Sequence, residues 1–68
     1  MKYLIKEKRE SLHLKQVELA DRLNVRASTL NNWETGVAEP RARDLPAIAK
    51  ALRCEHIDDL YPEEVRPS

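Results

Sequence analysis

The middle of the chain carries a group of small polar side chains that could hydrogen-bond to another molecule. A short helix is predicted here because Leu30 and Trp33 lie three residues apart on one face. Its outward face presents Ser28, Asn31 and Asn32, where an ordinary solvated helix carries Glu and Lys. An asparagine can bond adenine through two hydrogen bonds, and a serine can serve as donor or acceptor on a base edge. We interpret this face as a surface that reads nucleic-acid bases; the alternative is a helix that is polar by chance.

The residues that usually carry catalysis are scarce. The chain has two histidines far apart in the sequence, His13 and His56, one cysteine, Cys54, and no glycine-rich phosphate loop. The histidines are more simply helix-end or solvated residues than metal ligands. Cys54 is more simply a small buried hydrophobic residue than a nucleophile. We therefore expect no enzyme, no bound metal, no cofactor and no small-molecule ligand.

Length and composition limit the chain to one small domain. Its 68 residues, 41% of them hydrophobic and 35% charged, can form one modest core but not two. No apolar run approaches the about 20 residues of a membrane-spanning helix, and the N-terminus is too charged for a signal peptide. A single cysteine fits a reducing compartment. We expect a cytoplasmic protein with no membrane partner.

The charges are balanced in number but not in position. Residues 1–53 carry 11 Lys and Arg against 7 Asp and Glu, giving +4, whereas residues 54–68 carry one Arg against 5 acidic residues, giving −4. This asymmetry favours a basic face that could meet an anionic partner and an acidic tail held away from it. Two solvated faces with no partner are the alternative.

The apolar spacing predicts helices and no strands. One glycine and the absence of β-branched runs argue for an all-α fold. The first three helices are predicted over residues 2–12, 16–23 and 27–35. The second helix has an apolar stripe formed by Val17, Leu19, Ala20 and Leu23. Asn24 can end this helix in the left-handed conformation, and Gly36 ends the third.

Only residues 24–26 separate the second and third helices, which is the spacing of a helix-turn-helix over residues 16–35. Ala20 lies where these two helices would cross, because a side chain larger than a methyl group would push them apart. Val25 in the turn and Leu30 in the third helix then fill the space beneath the crossing.

The rest of the chain predicts a fourth helix and a last short turn. Asp44 is predicted to cap the fourth helix and Pro46 to lie in its first turn. Its buried face has Leu45, Ile48, Ala49 and Leu52. A final turn is predicted over residues 57–61 and is stopped by Pro62. The domain therefore covers residues 1–61, and residues 62–68 are predicted to be a frayed tail.

Several positions along the helix-turn-helix match one known pattern. They are Gln16, Glu18-Leu19-Ala20, Leu23-Asn24-Val25, Thr29-Leu30 and Trp33-Glu34-Thr35-Gly36. Together they resemble the lambda-type phage repressor and Cro family, also called Xre-type, and the resemblance covers residues 4–61. It implies a compact five-helix DNA-binding domain whose third helix enters the major groove of double-stranded DNA.

The resemblance assigns roles to individual positions of this chain. It implies base contacts by Ala27, Ser28, Asn31 and Asn32. Arg26, just before them, is predicted to reach a guanine or a phosphate; a solvent-facing arginine is the alternative. The resemblance implies phosphate contacts by Gln16, Thr35, Arg41 and Arg43, and the Gln16 side-chain amide can donate to a phosphate oxygen. Lys15 is predicted to place a charge beside Gln16, where that phosphate would lie. Arg9 and Glu34 resemble a structural pair that joins the first helix to the end of the third. A guanidinium there would relieve the conflict between Glu34 and the helix dipole.

This chain also departs from the family pattern. Arg26 stands where Ser or Thr usually caps the third helix, and an arginine cannot cap. Asn24 and Arg53 stand where glycine is frequent, and the segment 54–57 is one residue longer than usual. This segment leads to the predicted dimer contact, for which the candidates are Ile57, Leu60 and Tyr61.

We expect a sequence-specific transcriptional regulator of the phage or prophage repressor type, which binds a palindromic operator as a homodimer. Two alternatives use the same fold. One is an antitoxin-like module whose main partner is a protein, and the other is a bridging protein that has lost contact with DNA.

Overall fold

The computed structural model describes residues 3–62 and residue 64. Its α-helices are α1 (Ile5–Ser11), α2 (Gln16–Leu23), α3 (Ala27–Thr35) and α4 (Leu45–Ala51). Two 3-10 turns, Ala42–Asp44 and Ile57–Leu60, lie before and after α4. No described residue lies in a strand, so the all-α prediction is confirmed for this part of the chain. The fifth helix of the predicted five-helix fold is instead the 3-10 turn Ile57–Leu60.

Parts of the sequence-based prediction fall outside the described residues. The predicted first helix began at Lys2, which is not described, and α1 begins at Ile5. Of the tail predicted to be frayed, only Pro62 and Glu64 are described. Within the described ranges, no helix combines the length and the apolar composition that crossing a membrane requires.

Carboxylates near the start of two elements accept hydrogen bonds from the backbone that precedes them. The Glu18 carboxylate accepts from the backbone N–H of Lys15 at 2.8 Å, and the Asp44 carboxylate accepts from that of Arg41 at 2.9 Å. The predicted cap of α4 by Asp44 is therefore wrong, because its side chain turns back to the 3-10 turn and makes no cap bond to α4. Pro46 lies in the first turn of α4, as predicted.

Three helices end in the same left-handed turn, although the residue that adopts it is not glycine. His13, Asn24 and Arg53 have φ values of 58°, 56° and 58° and follow α1, α2 and α4. In each turn the next backbone N–H bonds a carbonyl five residues earlier, as in Val25 to Ala20 at 3.0 Å. This is the hydrogen bonding of a Schellman motif, and it satisfies carbonyls that a helix end leaves free.

The core takes one fully buried side chain from each of five elements. These side chains are Ile5, Leu19, Leu30, Ile48 and Leu60. Ala20 is also buried, as expected for the place where α2 and α3 cross. Leu60 is 0% exposed, so it belongs to the core of one chain and is not available for the predicted dimer contact.

The other two dimer candidates, Ile57 and Tyr61, are partly buried. The Tyr61 ring packs against Tyr3 with 5.3 Å between the ring centroids, and Ile57 packs partly buried against the core. Burial, with Tyr61 beside it, raises the pKa of the Tyr3 hydroxyl, so this group stays neutral at physiological pH. The C-terminal turn therefore covers the start of α1, where the Leu4 N–H also donates to the Leu60 carbonyl at 2.7 Å.

The inward stripe of α2 differs from the predicted one at its first position. Val17 is 60% exposed, whereas Gln16 is half-buried. The stripe therefore runs through Gln16, Leu19, Ala20 and Leu23. This spacing of i, i+3, i+4 and i+7 fits one helix face, and it turns the Gln16 amide toward the neighbouring helices.

Replacing Arg53 with glycine should stabilise the protein. The left-handed conformation costs a side-chain-bearing residue roughly 1–2 kcal/mol, and glycine avoids this cost but loses roughly 0.5–1 kcal/mol through its freer unfolded state. We expect Arg53→Gly to raise the free energy of unfolding by about 0.5–1 kcal/mol, measured by urea denaturation. Arg53→Ala removes the same charge but keeps the strain, so it should leave stability nearly unchanged. Equal effects of the two variants would contradict this explanation.

Candidate nucleic-acid interface

A buried ion pair joins α1 to the end of α3. The Arg9 Nε donates to Glu34 Oε2 at 2.8 Å, and Arg9 Nη2 donates to Glu34 Oε1 at 3.1 Å. Arg9 is 9% exposed and Glu34 is 2% exposed. The hydrogen bonds to Glu34 raise the pKa of Arg9 above its ordinary value, so the guanidinium is charged at any physiological pH. Arg9 Nη1 also donates to the Leu14 carbonyl at 2.8 Å, which fixes the loop after α1.

The side chain of Gln16 extends this ion pair toward the protein surface. Its Nε2 donates to Glu34 Oε1 at 3.1 Å and to Asn31 Oδ1 at 3.2 Å. A continuous set of hydrogen bonds therefore runs from Arg9 through Glu34 and Gln16 to Asn31 in α3. Sequence analysis predicted the ion pair but not the two contacts of Gln16. The signal that could have found them is the place of Gln16 on the inward stripe of α2.

The outward face of α3 consists of polar side chains in the open. Ser28, Asn31 and Asn32 are exposed, whereas Ala27 is half-buried and packs against the core. The inward face has Leu30, Trp33 and Glu34, all of them buried. The helix thus separates into a face that fills the core and a face of hydroxyl and amide groups.

The start of α3 carries a cation and no side-chain cap. Arg26 occupies the N-cap position with an extended backbone, and its side chain makes no cap hydrogen bond and is exposed. The first backbone N–H groups of the helix therefore have no side-chain acceptor from the cap residue. Such groups attract negative charge, and Arg26 adds a positive charge beside them.

Four of the residues predicted to contact phosphate are exposed. Lys15, Arg41 and Arg43 are exposed, at the start of α2 and in the segment after α3. Thr35 is also exposed, but its hydroxyl donates to the Asn31 carbonyl at 3.0 Å. A phosphate accepts hydrogen bonds only, so Thr35 could bind it through this hydroxyl only after giving up its bond within the helix.

A groove of about 470 Å³ lies between α2 and α4, away from the exposed face of α3. It is lined by Arg22, Leu23, Ala47, Lys50, Ala51 and Arg53. Its ionisable side chains are the cations Arg22, Lys50 and Arg53, and no carboxylate, imidazole, hydroxyl or thiol group lines the groove. Over residues 3–62 and 64, no cluster of three or more histidine, cysteine or acidic side chains could hold a metal ion.

Comparison with known proteins shows which family the chain belongs to. A model of the helix-turn-helix family matches residues 5–60 of the chain. The chain belongs to this family, in its lambda repressor-like or Xre-type branch. It is also 41% identical, over 61 residues, to an uncharacterized HTH-type transcriptional regulator of Methanothermobacter thermautotrophicus; the match covers 90% of this chain and 88% of the relative. No solved structure matches the chain.

Removing one partner of the buried ion pair should strongly destabilise this helix-turn-helix domain. Arg9→Ala leaves the Glu34 carboxylate buried without its guanidinium, a change that costs about 3–5 kcal/mol. We expect thermal and urea denaturation, followed by circular dichroism, to show a loss of this size. The control is Glu10→Ala, at an exposed position on the same helix, which should change stability by less than about 0.5 kcal/mol. An Arg9→Ala protein as stable as this control would contradict the structural role of the pair.

Proposed function

We propose that this protein is a sequence-specific DNA-binding transcriptional regulator whose helix α3 enters the major groove of double-stranded DNA. The observation that carries the proposal is the exposed face of α3, formed by Ser28, Asn31 and Asn32. Hydroxyl and amide groups can donate to and accept from base edges, and the major groove presents a different pattern for each base pair. Membership of the helix-turn-helix family supports the same function and favours a binding protein over an enzyme.

Burial of the one carboxylate of α3 also supports this proposal. Glu34 is the only acidic residue in the helix, and it is paired with Arg9 inside the protein. The face that would approach DNA therefore carries no negative charge from α3. Ala27 and Arg26, at the start of the helix, are the other proposed base contacts. The Ala27 methyl suits a thymine methyl, and Arg26 suits a guanine or a phosphate.

The exposed cations around α3 would hold it in position on the DNA backbone. Lys15 lies at the start of α2, and Arg41 and Arg43 lie between α3 and α4. Contacts with phosphates fix the orientation of a protein on the duplex without reading its sequence. The chain has no net charge, so its attraction to DNA would come from exposed cations such as these.

We further propose that the protein acts as a repressor of the phage or prophage type, as a homodimer on a palindromic operator. Two-fold symmetry would place the half-site centres roughly 34 Å apart, about one turn of B-DNA. Of the three predicted dimer candidates, Leu60 is in the core, so a contact at this end of the domain would use the exposed parts of Ile57 and Tyr61.

Selection of bound sites from random DNA duplexes tests this function directly. A sequence-specific regulator should enrich one motif, and a homodimer should enrich that motif as an inverted repeat. Enrichment of a single half-site would support DNA reading without the dimer. Recovery of unrelated sequences would contradict the proposed function.

Two variants should separate base reading from phosphate binding. Asn32→Ala should weaken binding to the selected site by about 1–3 kcal/mol and leave binding to unrelated DNA nearly unchanged. Arg41→Ala should weaken binding to all sequences alike and lower the slope of log affinity against log salt by about one. Arg22→Ala, which removes an exposed cation from the groove between α2 and α4, is the charge-matched control and should leave this slope unchanged. Titrations followed by fluorescence anisotropy at several salt concentrations would measure these effects.

A further inference from the structure

We propose that Gln16 fixes the orientation of the Asn31 amide, so that Asn31 presents its Nδ2 donor to DNA and selects a base that offers an acceptor. This inference rests on the proposed function, because it assumes that α3 reads the major groove. It concerns the direction of each hydrogen bond in the set that runs from Arg9 to Asn31.

The direction of these hydrogen bonds is determined first by Glu34, at the buried end of the set. Both oxygens of Glu34 accept hydrogen bonds from Arg9, so Glu34 is a carboxylate, and a carboxylate can only accept. Gln16 touches Oε1 of this carboxylate at 3.1 Å. Its oxygen would be repelled there, so the atom that faces Glu34 must be the Nε2 amide nitrogen.

The same nitrogen then determines the direction of the next bond. Nε2 carries two hydrogens, and the second points to Asn31 at 3.2 Å. A donor requires an acceptor, so Asn31 must turn its Oδ1 toward Gln16. Its Nδ2 group then lies on the exposed side, because oxygen and nitrogen occupy opposite sides of the amide. The ion pair between Arg9 and Glu34 thus determines which atom Asn31 presents at the surface.

This orientation restricts what Asn31 can recognise. Its Nδ2 can donate to N7 or O6 of guanine, to N7 of adenine or to O4 of thymine, whereas cytosine presents an N4 donor in the major groove. The Asn31 oxygen already accepts from Gln16, so a two-bond contact with adenine would also need the second lone pair of this oxygen to reach the base. No described residue holds the side-chain amide of the neighbouring Asn32, which can therefore turn both atoms to a base.

The orientation also changes the role implied for Gln16 by its family resemblance. Both of its Nε2 hydrogens are directed to partners within the protein, one to Glu34 and one to Asn31. The side chain therefore has no remaining hydrogen to donate to a phosphate. Gln16 acts as a positioning residue, and a phosphate contact at this point would use its backbone N–H at the start of α2.

Site selection with four variants tests the inference. Asn31→Ala identifies the base position that Asn31 reads, as the position whose preference is lost. At that position the unaltered protein should disfavour cytosine by roughly tenfold or more. Gln16→Met keeps the length of the side chain but cannot donate a hydrogen bond, so the Asn31 amide should turn freely. Asn31 could then present either its donor or its acceptor to the base, and the bias against cytosine should fall to within about threefold. Preferences at the other positions should persist.

Asn31→Asp provides the reverse test. Its inner oxygen still accepts from Gln16, and its outer atom becomes an acceptor, so preference at that position should shift toward cytosine. Asn24→Asp is the matched control: it makes the same change at an exposed turn residue outside the proposed DNA contacts and should leave the position read by Asn31 unchanged. Circular dichroism confirms that each variant is folded. In NMR spectra of the free protein, Gln16→Met should shift the side-chain amide signals of Asn31 and not those of Asn32.

The outcomes separate this inference from the function on which it rests. If the unaltered protein enriches no motif, the proposed function fails and the inference fails with it. If a motif is enriched but Gln16→Met lowers affinity for all sequences alike, Gln16 binds phosphate and the inference alone is overturned. The inference would also be overturned if Asn31→Ala kept every base preference, or if Gln16→Met left the side-chain amide signals of Asn31 unchanged.

Discussion

The buried pair of Arg9 and Glu34 constrains the rest of this small domain. Removing two charges from water is costly, and the cost is offset only when each charged group has its full set of partners. Glu34 accepts two bonds from Arg9 and one from Gln16, and Arg9 also holds the Leu14 carbonyl. Among the described residues, no buried side-chain polar atom lacks a partner. These groups come from α1, the loop after it, α2 and α3, so the pair and its partners tie the three helices together.

The helices that surround this pair could be predicted from the sequence because their ends are clearly marked. The bounds of α2 and α3 agree with prediction, since Asn24 and Gly36 both adopt the left-handed conformation that stops a helix. The apolar pattern predicted Val17, and not Gln16, on the inward face of α2. The spacing of Gln16 with Leu19, Ala20 and Leu23 fits that face, but the sequence does not indicate which residues of α3 lie opposite the Gln16 amide.

Two predictions for the C-terminal part of the chain were wrong, the cap by Asp44 and the dimer contact by Leu60, and each has its own physical reason. Asp44 had two backbone partners within reach, the start of α4 and the N–H of Arg41, and sequence alone does not decide between them. Leu60 was assigned to a dimer contact because an apolar residue near the chain end suits an interface as well as a core. Leu4, whose N–H donates to the Leu60 carbonyl, lies at the other end of the chain, so only the folded structure brings the two residues together.

The same ion pair links folding to the proposed recognition of DNA. A carboxylate on the exposed face of α3 would repel phosphates, yet Glu34 faces the core, where Arg9 neutralises it. The carboxylates of Glu18 and Asp44 accept from the backbone N–H groups of Lys15 and Arg41, whose side chains are exposed. In a chain with no net charge, attraction to any DNA is weak. Base contacts from α3 must then supply a larger share of the affinity, and a neutral, oriented amide such as that of Asn31 suits this requirement better than a further cation.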